Sequence, residues 1–176
     1  SQRIKLGHEL YETHPVFKQA IDQCSQYLND KHDYDFTAMW QSDDEQLIAE
    51  SQHTQALLFV VEYALAQLWL SFGIKPNYVC GHGVGEYVAA VVSSVVSLED
   101  GLTLVYHRSR LMQSLPADNE MLDEFKAIAD KIKYNTPEIK LISTVTGDVL
   151  TEAQLNSDYW VSHIHEGVNF AGCIKT

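Results

Sequence analysis

The chain has 176 residues, of which 45% are hydrophobic and 20% are charged, a composition typical of one globular domain and not of a disordered segment. Twelve basic and 24 acidic residues give a formal net charge of -12, which disfavours nucleic acid and anionic membranes as partners and suits a basic partner. Three cysteines without close spacing indicate free thiols in a cytoplasmic protein, with neither a disulfide framework nor a zinc motif. No apolar run reaches the roughly 18 residues that cross a bilayer.

The first part of the chain is predicted to be helical. Apolar residues at helical spacing predict a helix that begins at about Pro15 and continues to residue 28. Residues 29–51 are polar and acidic, and we expect a solvated loop there with one short helix at residues 45–50. Residues 54–72 are apolar on almost every side, which predicts a buried central helix.

The second part is predicted to alternate strands and helices. Ser97 and Asp100 have the spacing of a capping box. The predicted elements are a strand at 78–80, helices at 84–92, 98–113 and 121–132, a β-rich run at 140–145, a turn at 146–148, and two short helices beginning at Asp158 and Val168. This alternation predicts an α/β domain over residues 1–176, with a parallel-sheet core and flanking helices.

A glycine-rich corner follows the first predicted strand. Residues 81–86 read Gly-His-Gly-Val-Gly-Glu and lead into a small-residue helix. In nucleophile elbows of the Gly-x-Ser-x-Gly kind, the middle serine sits on a strained strand-to-helix turn. Here the middle residue is Gly83, so the frame is present without the hydroxyl. We interpret the corner, including Gly81, Val84 and Gly85, as a structural turn in which Gly83 relieves strain.

Three other chemistries are less favoured. His82 is a candidate substitute nucleophile, but a histidine beside a glycine corner is more often structural. The corner does not match the Gly-x-Gly-x-x-Gly spacing of a dinucleotide loop, because residue 86 is Glu86. His163 and His165 alternate without an evident third ligand, so no metal site is expected.

Six segments along nearly the whole chain form an ordered series: residues 10–17, 64–69, 81–86, 143–147, 158–161 and 168–170. The series resembles the acyltransferase domains of modular polyketide synthases, which are related to malonyl-CoA:acyl carrier protein transacylases. The match of residues 81–86 to the Gly-His-Ser-x-Gly-Glu signature is the most specific. Thr144 stands where the family's Ser-Asn-Val-Thr-Gly pattern has asparagine, and Asn169 stands where its Val-Arg-Phe pattern has arginine. The resemblance implies the large subdomain of an acyltransferase.

Three departures from the family pattern bear on function. The resemblance implies an elbow serine that takes the acyl group, and that position is Gly83. It also implies a histidine base in or beside a small ferredoxin-like subdomain, just before a Met-Leu-(Asp/Glu)-x-Phe helix. In this chain that helix corresponds to residues 121–125, and only the seven residues 114–120 separate it from the helix that ends at residue 113. The small subdomain between residues 113 and 121 and its histidine are therefore expected to be absent. The family's Gly-Gln-Gly-Ser-Gln opening is expected to be cut at Ser1-Gln2.

Arg108 matches the family's arginine that pairs with a malonyl carboxylate, a role suited to a guanidinium fork. Because the nucleophile position is occupied by Gly83, which has no side chain to acylate, we interpret this substrate-binding role as vestigial. An inherited ion pair near the helix end is the favoured role for Arg108.

Without a nucleophile and base in reach, covalent acyl transfer has no route. We therefore expect a non-catalytic scaffold or docking element of a polyketide synthase, with no cofactor. Its expected partners are neighbouring synthase domains and a trans-acting acyltransferase or acyl carrier protein. The alternative is a malonyl-type acyltransferase altered at Gly83 and represented only in part. The sequence leaves open whether the 114–120 junction is genetic or reflects omitted residues, and whether Gly83 is natural or introduced.

Overall fold

A computed structural model describes residues 3–114, 116, 118–166 and 168–176. Helices surround a small parallel sheet. In chain order the elements are α1 (His8–Thr13), α2 (Pro15–His32), α3 (Phe36–Trp40), α4 (Glu45–Ala49), α5 (Ser51–Ser71), β1 (Tyr78–Val79), α6 (Gly85–Val92), α7 (Leu98–Gln113), α8 (Asn119–Asp130), β2 (Lys140–Leu141), a 3-10 turn (Glu152–Gln154), α9 (Ser157–His165) and α10 (Phe170–Lys175). The predicted α/β class is confirmed. The prediction that the family's opening motif is cut at Ser1-Gln2 concerns residues that lie outside the described part of the chain.

Helix α5 is the central element. It contacts α2, α6 and α7, and its Phe59, Val60 and Ala64 side chains are fully buried. The prediction of a buried helix at residues 54–72 is therefore confirmed, with a start three residues earlier. The last turn of α5 departs from the pattern, because Trp69 is 58% exposed.

The prediction of a solvated loop at residues 29–51 with a short helix at 45–50 is confirmed at residues 33–35, 41–44 and α4, and it is wrong for the end of α2 and for α3. Helix α2 continues to His32, and α3 buries the side chains of Phe36, Met39 and Trp40. The indole N–H of Trp40 donates to the carbonyl of Leu6 at 2.7 Å. The short apolar helix α3, within an acidic stretch, therefore contributes side chains to the hydrophobic core.

The sheet consists of β1 and β2, which pair in parallel with Tyr78 opposite Lys140 and Val79 opposite Leu141. Both strands are shorter than predicted. The chain after β2 turns back at once, since Ile142 forms an antiparallel bridge with Val149.

Helix α7 begins and ends as predicted. The Ser97 hydroxyl accepts a hydrogen bond from the N–H of Asp100 at 3.1 Å, which gives the serine half of the predicted capping box. Helix α8 begins at Asn119, where Asp118 caps the N–H of Met121 at 2.9 Å. The sequence Leu-Pro-Ala-Asp-Asn at residues 115–119 predicts a turn before α8, and this segment lies partly outside the described residues, since residues 115 and 117 are not described.

Helices α9 and α10 confirm the two short helices predicted near the end of the chain. Trp160 of α9 is 1% exposed and packs on Tyr87 of α6, with ring centroids 4.3 Å apart. Helix α9 thus packs against α6, the helix that follows the glycine corner. Within the described residues, no helix combines the length and apolar character that a membrane span needs.

Candidate functional site

The glycine corner joins β1 to α6. The N–H of Gly85 donates to the carbonyl of His82 at 3.0 Å, and the N–H of Glu86 donates to the carbonyl of Gly83 at 3.1 Å. A Cβ atom at Gly81 would lie 2.0 Å from the carbonyl carbon of Gly85. Only glycine fits at Gly81, so the tightness of the corner is set at its first residue.

Gly83 occupies the apex of the corner with φ of +58°, in the left-handed region. This is the backbone state that our interpretation of Gly83 requires, because residues with a Cβ adopt it at a cost of about 1–2 kcal/mol. A Cβ atom at Gly83 would have no heavy atom within 4 Å. The apex therefore has space for a side chain that the sequence does not supply.

Glu86, in the first turn of α6, is completely buried. Its carboxylate accepts hydrogen bonds from the N–H of Thr144 at 2.7 Å, the hydroxyl of Thr144 at 3.1 Å and the hydroxyl of Tyr159 at 2.9 Å. The Nε2 atom of His163 lies 2.6 Å from Oε2 of Glu86, the distance of an ion pair. That contact lacks the N–H direction of a hydrogen bond, and Nδ1 of His163 has no hydrogen-bond partner among the described residues. Glu86 thus joins the corner to the loop after β2 and to α9.

The loop after β2 is held by Ser143 as well. The hydroxyls of Ser143 and Tyr159 lie 2.6 Å apart, and the Ser143 oxygen accepts from the N–H groups of Val145 and Thr146. Burial, followed by the charge of Glu86, raises the pKa of Tyr159 well above its ordinary value, so its hydroxyl stays neutral. The buried groups form one connected network, which fixes the corner from behind.

The network around Glu86 was not predicted from the sequence. A usable signal was the i, i+4 spacing of Tyr159 and His163, which places both side chains on one face of a helix. Thr144, noted only as a departure from asparagine, supplies two of the hydrogen bonds to Glu86. A buried acid and its partners from a distant helix cannot be paired from one sequence.

The structure does not give Arg108 the ion pair expected from the sequence. Arg108 is 7% exposed and donates through Nη1 to the side-chain carbonyl of Gln55. Its guanidinium carbon lies 5.5 Å from the ring centroid of Tyr87, and no described residue makes a hydrogen bond with its Nε. Among the described residues no carboxylate pairs with Arg108. The expected ion pair is therefore wrong, and the Arg108 cation contacts the Gln55 side-chain amide and the face of the Tyr87 ring.

The remaining histidines at the site are held apart. His82 is exposed, and its ring centroid lies 6.2 Å from that of Phe170. His163 is buried against Glu86, whereas His165 is exposed at the end of α9. In the described ranges, no group of three or more histidine, cysteine or acidic residues is placed to hold a metal ion.

Helices α7 and α8 follow each other closely at the 114–120 junction. A cavity of about 410 Å³ lies between the last turns of α7 and the start of α8, and its lining includes His107, Arg110 and Glu124. The absence of a small subdomain between these helices stays a prediction from the sequence.

The fold and the glycine corner together define an acyltransferase-like α/β domain. The acyl transferase domain family matches residues 1–124, about two thirds of the chain. The chain therefore belongs to the acyl transferase domain family.

Curated relatives are large synthases of which the chain spans a small part. Orsellinic acid synthase armB of Armillaria mellea is 43% identical over 115 residues, covering 63% of this chain and 5% of the synthase. Polyketide synthase GfsA of Streptomyces halstedii is 27% identical over 252 residues, covering 99% of this chain and 3% of the synthase. An alignment longer than the chain means that GfsA carries residues without a counterpart here.

Solved structures give the same fold. The acyltransferase domain from the second module of the salinomycin polyketide synthase is 25% identical with a TM-score of 0.89, and the match covers 99% of this chain and 57% of that one. The acyl transferase domain of ZmaA has a TM-score of 0.92 at 24% identity, with 99% and 58% covered. The chain thus spans a little over half of each of these domains.

Proposed function

We propose that this chain is a non-catalytic acyltransferase-like domain of a polyketide synthase that acts as a scaffold or docking element for a trans-acting acyltransferase. One observation carries the proposal: the frame of the elbow is kept, with Gly83 in the left-handed region at its apex, while the apex has no side chain. Acyl transfer through an enzyme-bound ester needs a hydroxyl or thiol at that point. Gly83 offers none.

The surroundings of Gly83 support a structural role for the corner. Glu86 is completely buried and accepts three hydrogen bonds from Thr144 and Tyr159. These contacts stabilise the fold without any reaction at the apex. A domain that keeps its frame and lacks its nucleophile retains a surface on which other proteins can dock.

The base of the reaction is also missing from its expected place. Residues 114–120 contain no histidine, and the alignment with GfsA spans 252 residues against 176 in this chain. Both facts agree with a lost small subdomain. Proximity of nucleophile and base is what an acyltransferase site provides, so the loss of both removes the route to transfer.

The partners that fit are neighbouring synthase domains, an acyl carrier protein and a free-standing acyltransferase. The chain aligns with 5% of armB and 3% of GfsA, so the matched segments lie within much longer synthases, and the net charge of -12 favours a partner with a basic docking face. A malonyl-CoA-dependent acyltransferase acting in trans would then load the carrier protein beside this domain.

The test compares the synthase module that contains this domain with a version lacking residues 3–176. Carrier-protein loading by the free-standing acyltransferase is measured by intact mass with malonyl-CoA supplied. We expect slower loading after deletion and retention of the acyltransferase by the intact module. Equal loading rates and no retention would overturn the docking proposal.

A malonyl-type acyltransferase altered at Gly83 is the second candidate, and Arg108 is the observation that favours it. This buried guanidinium has no carboxylate partner among the described residues and an unpaired Nε. A substrate carboxylate would satisfy it.

Gly83→Ser distinguishes the two candidates, because the apex has open space for the hydroxyl. A malonyl adduct on Gly83→Ser that disappears in Gly83→Ser with Arg108→Gln supports the altered enzyme. Unmodified protein in both variants, each confirmed as folded by circular dichroism, supports the non-catalytic domain.

A further inference from the structure

The ring of Tyr106 in α7 lies beside three groups that can carry positive charge. The His32 ring, at the end of α2, stacks on it with ring centroids 4.5 Å apart, and the His107 ring lies edge-on at 5.1 Å. The guanidinium carbon of Arg110 lies 5.3 Å from the same centroid. Arginine is always charged in proteins, whereas histidine gains its charge in acid. Protonation of both imidazoles would therefore raise the charge beside this ring from one to three.

His32 and His107 lie side by side at the contact between α2 and α7, with ring centroids 5.7 Å apart. On the α2 side, His32 also faces the Tyr27 ring at 5.7 Å, and Lys31 and Asp33 flank it in sequence. Both imidazoles are half-buried, so salt and water screen a repulsion between them only in part. Burial lowers the pKa of His32, and burial followed by the charge of His32 lowers the pKa of His107. The observed contact therefore suits two neutral rings and opposes a state in which both are protonated.

His107 also lines the cavity of about 410 Å³ between the end of α7 and the start of α8. Of the described residues that line this cavity, Arg110 and Glu124 carry charge, and α5 contributes the neutral Gln52. Glu124 raises the pKa of His107 against the larger effect of burial, so its carboxylate favours the protonated ring. Glu124 is exposed and belongs to none of the ion pairs of the described residues. A protonated His107 therefore shares the cavity with an acid that attracts it.

Helix α5 brings a third histidine, His53, to the same side of the molecule. The Tyr34 ring lies 6.2 Å from that of Tyr106, and its hydroxyl lies 2.7 Å from Nδ1 of His53. Nε2 of His53 lies 3.7 Å from a carboxylate oxygen of Glu50. Burial lowers the pKa of His53 and Glu50 raises it in part, so its titration has partners separate from those of His107.

We propose that His107 is an acid-operated switch between α2 and α8. The neutral ring packs beside His32 and Tyr106, as observed, and the protonated ring turns from His32 towards Glu124 across the cavity. Repulsion from His32 and attraction to Glu124 act in the same direction on the new charge. The movement loosens the end of α2 and brings α8 closer to the end of α7. None of these contacts uses the apex at Gly83, so the switch is independent of the proposed function.

Histidine titrations in two-dimensional NMR spectra of the full 176-residue chain test the partners of His107. Its signal is identified by its loss in His107→Gln. In His32→Gln the pKa of His107 should be higher, because the like charge beside it is removed, and in Glu124→Gln it should be lower. Glu120→Gln, at an exposed position one turn earlier in α8, is the matched control and should leave it unchanged. An equal pKa of His107 in all three of these variants would overturn the proposal.

Nuclear Overhauser contacts show where the His107 ring lies in each state. At about pH 8 the ring should give contacts to the ring of His32. After titration these contacts should disappear, and contacts to the Glu124 side chain should replace them. Contacts to His32 that persist in the protonated state would overturn the switch, and so would a His107 ring that stays neutral until the domain unfolds.

Amide hydrogen exchange separates this local movement from acid unfolding. The N–H of Tyr34 donates to the carbonyl of Leu28 at 3.1 Å at the end of α2, whereas Val60 is fully buried within α5. As His107 titrates, the protection factor of Tyr34 should fall about tenfold or more while that of Val60 is kept. His107→Gln should lose most of this response, and His165→Gln, at an exposed position, should keep it. Loss of protection at both amides at the same pH would mean that acid unfolds the whole domain and would overturn the switch.

Discussion

The carboxylate of Glu86 in α6 lies 2.6 Å from Nε2 of His163 in α9, and the two residues are 0% and 7% exposed. This contact connects residues 77 positions apart in the chain. It ties the helix that leaves the glycine corner to a helix near the end of the chain. The geometry of the corner therefore depends on side chains that lie far from it in sequence.

Removal of Glu86 should destabilise the domain strongly. Glu86→Ala removes the acceptor of the hydrogen bonds from Thr144 and Tyr159 and the charged partner 2.6 Å from His163, and breaking a buried pair typically costs about 3–5 kcal/mol. The free energy of unfolding is measured by urea titration with tryptophan fluorescence. Glu12→Ala, at an exposed position of α1, is the control and should change little. Similar values for the two variants would contradict a structural role for the network.

The two corner glycines should respond differently to alanine. Gly83→Ala should fold with a loss of about 1–2 kcal/mol from the left-handed backbone alone, because the apex has no atom within 4 Å of a Cβ. Gly81→Ala should yield little folded protein, since its Cβ would overlap the backbone of Gly85 at 2.0 Å. Circular dichroism and urea titration compare them. If both variants were equally stable, the corner would be looser than described.

The three cysteines should differ in reactivity. Cys80 is exposed, whereas Cys24 and Cys173 are buried. Burial raises the pKa of both buried thiols, so they form the reactive thiolate less readily. An aromatic disulfide reagent should therefore modify one thiol per chain quickly and the other two only after unfolding. Cys80→Ser should abolish the fast reaction, and a fast reaction that persists in Cys80→Ser would contradict the packing around Cys24 or Cys173.

Acid should destabilise the helices around His53. The hydroxyl of Tyr34 lies 2.7 Å from Nδ1 of His53, a contact that suits the neutral ring as acceptor. Burial lowers the pKa of His53 below its ordinary value of 6.5. A lowered pKa means that the unfolded state takes up the proton first, so this stability is present above pH 6.5 and is lost as pH falls through the lower folded-state pKa.

His53→Gln keeps an acceptor for Tyr34 and removes the titration. The free energy of unfolding between pH 8 and pH 5 should therefore fall less steeply in this variant than in the natural sequence. His165→Gln, at an exposed position, should leave the slope unchanged. His32 and His107 also have lowered pKa values through burial, so some slope should remain. An unchanged slope in His53→Gln would contradict its part in acid destabilisation.

Long elements with strong periodicity were predictable from the sequence. Helices α5 and α7 lie within a few residues of their predicted bounds, because apolar spacing and the Ser97 cap define them locally. The corner at residues 81–86 was predicted from its glycine spacing, and its tightness at Gly81 follows from the same pattern. These features depend on neighbours in sequence.

Features that depend on distant contacts were missed. The acidic stretch at residues 29–51 gave no sign that Phe36 and Trp40 complete the core, since a helix of five residues carries too little periodicity. The partner of Arg108 was expected to be an acid and is Gln55, which lies 53 positions away. The contact between Glu86 and His163 could not be predicted from the sequence, because it depends on how α6 packs against α9.

The apex and the frame of the corner depend on different residues. Gly81 sets the close approach of the backbone, and Glu86 fixes α6 through Thr144, Tyr159 and His163, whereas position 83 contributes no side-chain contact. A single-residue exchange at position 83 can thus add or remove a nucleophile without disturbing the fold. A side chain at position 83 therefore carries the cost of the left-handed backbone, about 1–2 kcal/mol, and leaves the contacts that hold the frame unchanged.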